Sequence, residues 1–176
     1  LGVKYYDAFN VDNLQLQLEF NQVRPYVYSN NEIILNYGHN NQSMAHLWGA
    51  NFRELIAIAR YQNDRWYGTA KAIYGKRGFE IGDIDDVYYG GSIYGNDENI
   101  PSEFGIEIGQ GNTATTLIGD FELGYIVNPS TNFKCYANVL YRNHTIDQFD
   151  PVNLEESTVW VNFGIRTDIF NWYFDY

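Results

Sequence analysis

Alternation with a period of two constrains this chain more than any other feature. From Val159 the odd positions read Val159, Val161, Phe163, Ile165, Thr167 and Ile169, while the even ones read Trp160, Asn162, Gly164, Arg166 and Asp168. Successive side chains of a strand point to opposite faces, so this stretch reads as a β-strand with one apolar and one polar face. The even positions then turn aromatic at Phe170, Trp172, Phe174 and Tyr176.

Seven segments of this kind can be placed, at about 1–9, 14–28, 52–62, 66–74, 115–127, 133–143 and 158–173. In the second, Leu14, Leu16, Leu18 and Phe20 oppose Gln15, Gln17, Glu19 and Asn21; in the fifth, Leu117, Phe121, Leu123 and Tyr125 oppose Thr116, Asp120 and Glu122. In the sixth, Phe133, Cys135, Ala137, Val139 and Tyr141 oppose Lys134, Tyr136, Asn138 and Arg142. The third is ambiguous, because Leu55, Ile56, Ala57, Ile58 and Ala59 are apolar on both faces. Most of these segments reach the roughly 9–11 residues that a tilted membrane strand needs.

The connections alternate in length. Residues 10–13, 63–65 and 128–132 are short and rich in Asn, Asp and Pro, whereas 29–51, 75–114 and 144–156 are long. Short turns at one end and long loops at the other mark an outer-membrane barrel, with the short turns periplasmic. The last strand then descends to the periplasm, and its closing aromatics suit the membrane boundary. A soluble sheet gives the same alternation but seldom an aromatic final residue.

Seven spans put Leu1 outside, whereas bacterial single-chain barrels have even strand numbers. A hairpin near residues 87–94 leaves that parity unchanged. The chain begins on strand-like residues with neither Met nor a charged-then-apolar leader. The expectation is therefore an all-β fold, an antiparallel transmembrane β-barrel segment of about seven to nine strands. Residues 1–176 would form one domain, the C-terminal part of a larger barrel that this chain does not close alone.

Composition agrees. Aromatic residues make up 18% of the chain, with 16 Tyr, and Gly is plentiful at 16 against only 4 Pro, which suits strands and turns. No run approaches the roughly 18 apolar residues of a membrane helix. A slightly negative mean hydropathy is compatible with a barrel, whose strands expose only alternate residues to lipid. The single cysteine, Cys135, excludes a disulfide framework and reads as a small apolar side chain.

The net charge is −11, and more than half of the 22 acids fall in two of the long loops. Basic residues sit instead in or beside strands, as Arg60, Lys71, Lys134, Arg142 and Arg166. Without a continuous basic surface, no nucleic-acid partner is expected.

Several runs carry a resemblance: Asn21-Gln22-Val23-Arg24-Pro25-Tyr26, Asn36-Tyr37-Gly38-His39-Asn40-Asn41-Gln42, Ala45-His46, Gly49-Ala50-Asn51-Phe52-Arg53-Glu54 and Phe163-Gly164-Ile165-Arg166-Thr167-Asp168. Together they resemble the C-terminal part of a Bacteroidetes outer-membrane family that includes gliding-motility proteins of the RemB type and is similar to capsule-assembly Wzi proteins. Ser43, Leu47 and Trp48 depart from that family's pattern, in which prolines are common around the histidine. The resemblance implies a large closed barrel in a Gram-negative outer membrane. It also implies a role in capsular polysaccharide attachment or assembly, or in gliding motility. The implied partners are outer-membrane lipid, surface polysaccharide and motility or secretion proteins. Two alternatives stay open: a complete eight-stranded structural barrel, and part of a transporter or enzyme whose active residues lie elsewhere. A soluble β-sandwich is a further rival.

Nothing marks an enzyme. His46, Arg53 and Glu54 have no accompanying Gly-x-Ser-x-Gly nucleophile or His-Glu-x-x-His zinc signature. That Arg53 and Glu54 form ion pairs at the barrel rim or lumen is the plainer reading. No cofactor is implied. Gly82-Asp83-Ile84-Asp85-Asp86 spaces acids like the start of a calcium loop, making Asp83, Asp85 and Asp86 metal candidates, but the closing pattern is missing. Trp48, Tyr88, Tyr89 and Tyr94 lie in long loops, where rings stack on sugar faces while acids and amides accept sugar hydroxyls. With His46, Arg53 and Glu54 they form the candidate ligand-binding set; the competing reading is that they anchor the loops to one another.

Overall fold

A computed structural model of the chain describes residues 1–40, 42–81, 87–147 and 154–167. Its strands in chain order are β1 (Gly2–Tyr5), β2 (Leu14–Val23), β3 (Gly38–His39), β4 (Gln42–Ser43), β5 (Phe52–Asn63), β6 (Trp66–Phe79), β7 (Asn112–Asn128), β8 (Phe133–Asp147) and β9 (Leu154–Arg166). The tiny β3–β4 pair stands apart, inside the loop after β2. The other seven form one antiparallel meander, each strand paired with its neighbour in the order β1-β2-β5-β6-β7-β8-β9. Among the described residues β1 and β9 do not pair, so the sheet is open. Helical geometry there is limited to 3-10 turns, and no helix is long and apolar enough to cross a membrane.

Asn and Asp carry the turns. Seven of the nine non-glycine residues with positive φ among the described residues are Asn or Asp, whose short side chains tolerate left-handed backbone. Asp64 (φ 50°) turns the two-residue connection between β5 and β6. Asn132 (φ 47°) ends the 3-10 turn Pro129–Thr131 before β8.

Strand ends differ from the sequence reading where local geometry or distant packing intervenes. β1 stops at Tyr5, not residue 9, because Asp7 (φ 48°) and Phe9 (φ 58°) leave the extended region. β2 stops at Val23 before Pro25, which has no N–H to donate, and Tyr26 has φ 66°. β6 runs on to Phe79 and β8 to Asp147, so both project beyond the expected ends. Residues 87–94 form no strand pair. Asp168 and the terminal aromatics Phe170, Trp172, Phe174 and Tyr176 lie outside the described residues.

The register sorts side chains onto two faces, since directly opposed residues share a face. One lateral row reads Leu16, Ala59, Ala70, Phe121, Val139, Val161; the next reads Leu14, Tyr61, Gly68, Leu123, Ala137, Phe163. The opposite face carries Gln15, Arg60, Thr69, Glu122, Asn138 and Asn162 in one row. Register also resolves the ambiguous third strand. Leu55, Ala57 and Ala59 join the apolar face, while Ile56 and Ile58 join the polar one. Arg60, Lys71, Lys134, Arg142 and Arg166 all stand on the polar face.

Nothing in the described chain covers the apolar face. Phe121 is 52% exposed in the middle of the sheet, and Phe163 is 88% exposed on β9. Burial is concentrated instead under the loops, at Ala50, Asn51, Phe52, Glu54, Tyr88, Ile93 and Ala114. The well-packed core is thus a loop cap at one end of the sheet.

Candidate functional site

The polar end of β5 organises the cap. Glu54 is buried; its Oε1 accepts from Asn21 Nδ2 at 2.9 Å and meets His46 Nε2 at 2.8 Å. The Trp48 backbone N–H donates to His46 Nδ1 at 3.1 Å. With Nδ1 accepting, the imidazole proton sits on Nε2 and points at Glu54. The His46 ring stacks on Phe52 at 4.4 Å, and Trp48 meets Phe52 edge-on at 5.6 Å. This cluster holds the loop after β2 down onto the polar face.

Arg53 takes no part. As the strand neighbour of Glu54 it points to the other face, in the row Gln22, Arg53, Lys76, Thr115, Thr145, Glu155. That row ends the apolar face at the long-loop end with charge and hydroxyls. The two residues therefore stand on opposite faces of the sheet and do not meet.

Two of the loop tyrosines are tied into the cap. Tyr88 is wholly buried: its ring meets Tyr26 edge-on at 5.2 Å, and its hydroxyl donates to the Ser92 carbonyl. Tyr89 is tied through its backbone, donating to Glu80 and accepting from Gln110 Nε2 at 2.9 Å. Glu80 Oε1 also accepts the N–H groups of Gly91 (3.0 Å) and Ser92 (3.2 Å). Asn51 bonds the Gln110 carbonyl at 2.9 Å and accepts the Gly109 N–H at 2.6 Å. Glu80 from the end of β6 and Asn51 from the start of β5 thus tie down the long loop before β7.

Trp48 and Tyr94 remain accessible to a ligand, and they line two neighbouring hollows that share Arg77 and Phe79. Tyr94 borders one of about 330 Å³ together with Ser43, Leu47 and Ser92. Trp48 borders the other, of about 490 Å³, with Thr116, Leu140, Arg142 and His144 on its floor. The Trp48 indole lies directly over Gly75, where any Cβ would come within 2.5 Å of the ring. Arg77 lies over the Phe79 ring at 4.5 Å, and Thr116 Oγ1 meets His144 Nδ1 at 2.8 Å. A larger hollow of about 630 Å³, lined by Leu16, Leu18, Ala57, Ala59, Ala70 and Ala72 among others, lies on the apolar face.

Sequence reasoning missed Arg77, Thr116 and His144 as site residues. The signal for Thr116 was present, since it falls on the polar parity of its strand; Arg77 and His144 were hidden in what reads as loops, because β6 and β8 run past their expected ends. Asp83, Asp85 and Asp86 lie outside the described residues. Among the described residues no three metal-ligating side chains converge.

No protein-family model, curated protein or solved structure matches this chain.

Proposed function

We propose that the chain is part of a transmembrane β-barrel of a Gram-negative outer membrane, without enzymatic activity, that attaches or assembles surface polysaccharide through its loop-capped polar face. The uncovered apolar face carries this reading. Soluble monomers rarely expose contiguous apolar patches beyond a few hundred Å², and here apolar rows cross all of the long strands, with Val161 68% and Phe163 88% exposed. Lipid is the solvent that such a face suits, with the charged face turned to a lumen. Strands of 10–17 residues from β2 onward in the main sheet reach or exceed the roughly 9–11 residues that a membrane strand needs. The open edges at β1 and β9 would be met by further strands, because unpaired backbone is not left in lipid.

The glycan half of the proposal draws on the hollow beneath Trp48, which combines an indole with polar side chains in the manner of saccharide sites. It also draws on the family resemblance. Polysaccharide retention by intact cells carrying Trp48→Ala tests it, after surface levels are shown to be normal. Retention should fall severalfold; retention equal to the parent's would remove Trp48 from the function.

A further inference from the structure

We infer that the hollow between Trp48 and β8 binds an acidic sugar unit, its ring against Trp48 and its anionic group between the guanidinium groups of Arg77 and Arg142. This deepens the proposed polysaccharide role and rests on it. The inference starts from the two cations. Arg77 and Arg142 line the same cavity of about 490 Å³, and among the described residues neither has an acid within ion-pair distance. The Arg77 Nε is buried without a hydrogen-bond partner. A buried guanidinium donor left unmatched is costly, and a planar carboxylate or a tetrahedral sulfate is the kind of group that arginine pairs with in its favoured two-pronged geometry.

Described acids of the cap are engaged by other groups. Glu80 is held by the backbone N–H groups of Tyr89, Gly91 and Ser92, and Glu54 by Asn21 and His46. Glu156 stands across from His144 on the exposed edge strand. Two arginines without an ion-pair partner among the described residues share one hollow in a chain of net charge −11, and the Glu80 charge acts on Arg77 only from beyond ion-pair distance. The rest of the lining suits a sugar rather than a bare anion. Trp48 offers a ring face, and Thr116 and His144 form a coupled pair that can give and take hydroxyl hydrogen bonds. Phe79, which lines the same hollow, holds the Arg77 guanidinium by a cation–π contact.

The test is equilibrium binding to the full chain, purified in detergent and shown to be folded. The probes are a trigalacturonate, a sulfated galactose trisaccharide and neutral galactotriose. The acidic trisaccharides should bind at least tenfold more tightly than the neutral one, the two arms showing whether carboxylate or sulfate is preferred. Arg77→Gln and Arg142→Gln should each weaken acidic binding about tenfold and leave neutral binding unchanged. Arg142 is an exposed strand residue, so its variant keeps the test valid if Arg77→Gln disturbs the cap. Equal binding of acidic and neutral probes, or acidic binding indifferent to both substitutions, overturns the inference while leaving a polysaccharide role standing. Binding of none of the three to folded protein overturns both.

Discussion

Asn51 shows how much of the cap depends on single side chains. It is fully buried with φ 56°, and its one amide ties the Gln110 carbonyl and the Gly109 N–H to the start of β5. Removing it strands both groups, at roughly 1–3 kcal/mol each, and places a Cβ-bearing residue with no local hydrogen bond in left-handed backbone, at about 1 kcal/mol more. Asn51→Ala is therefore expected to loosen the loop before β7 by about 3–7 kcal/mol. Limited proteolysis of the folded protein reads this as faster cleavage within residues 87–111, with β7 to β9 still protected. Gly78→Ala should behave alike, because its Cβ would lie 2.1 Å from both Asn51 Nδ2 and the Gln110 carbonyl. Cleavage at the parent's rate in both variants would mean that other contacts hold the loop.

At the scale of strands, the two faces of β9 make the membrane reading testable by one pair of substitutions. Phe163 and Asn162 are adjacent and both exposed, but they point to opposite faces. Charge on a lipid face near mid-membrane costs roughly 2–4 kcal/mol, whereas a lumen accepts it. Phe163→Arg should thus reduce the heat-modifiable, folded fraction in outer membranes severalfold, and Asn162→Arg should leave it near the parent's level. Equal tolerance would favour a soluble sheet. The strands themselves were legible because alternation is written locally, residue by residue. Their ends were not. Gly75-Lys76-Arg77-Gly78 reads as a loop from its glycines and charges, yet it continues β6, since Gly75 leaves room for Trp48 and Gly78 for Asn51. Those partners lie some 27 residues away in sequence, so no local signal announces them. Arg77 was lost to the site for the same reason, and the choice between ligand contact and loop anchoring for Tyr88 was not legible because loop burial depends on contacts of that range.

At the scale of the whole molecule, the open sheet poses the question of what completes it. β1 pairs only with β2 and β9 only with β8, so two rows of backbone groups lack partners among the described residues. Seven strands of a meander also have their two edge strands antiparallel to the partners they would need in an even-numbered barrel, which requires an odd number of additional strands. Direct β1–β9 closure would instead align these edges parallel, without the steady antiparallel ladder of the rest. Disulfide trapping separates the two cases. In a Cys135→Ser background, Val3→Cys is combined in turn with Val159→Cys, Val161→Cys and Phe163→Cys, all on the apolar face. Val139→Cys with Val161→Cys, directly opposed on β8 and β9, serves as the positive control. Disulfides need Cα atoms within about 7 Å, so the control should cross-link within the chain while the three edge pairs do not. Efficient intrachain cross-linking of any edge pair would show that the sheet closes on itself and would support a small, self-sufficient barrel instead.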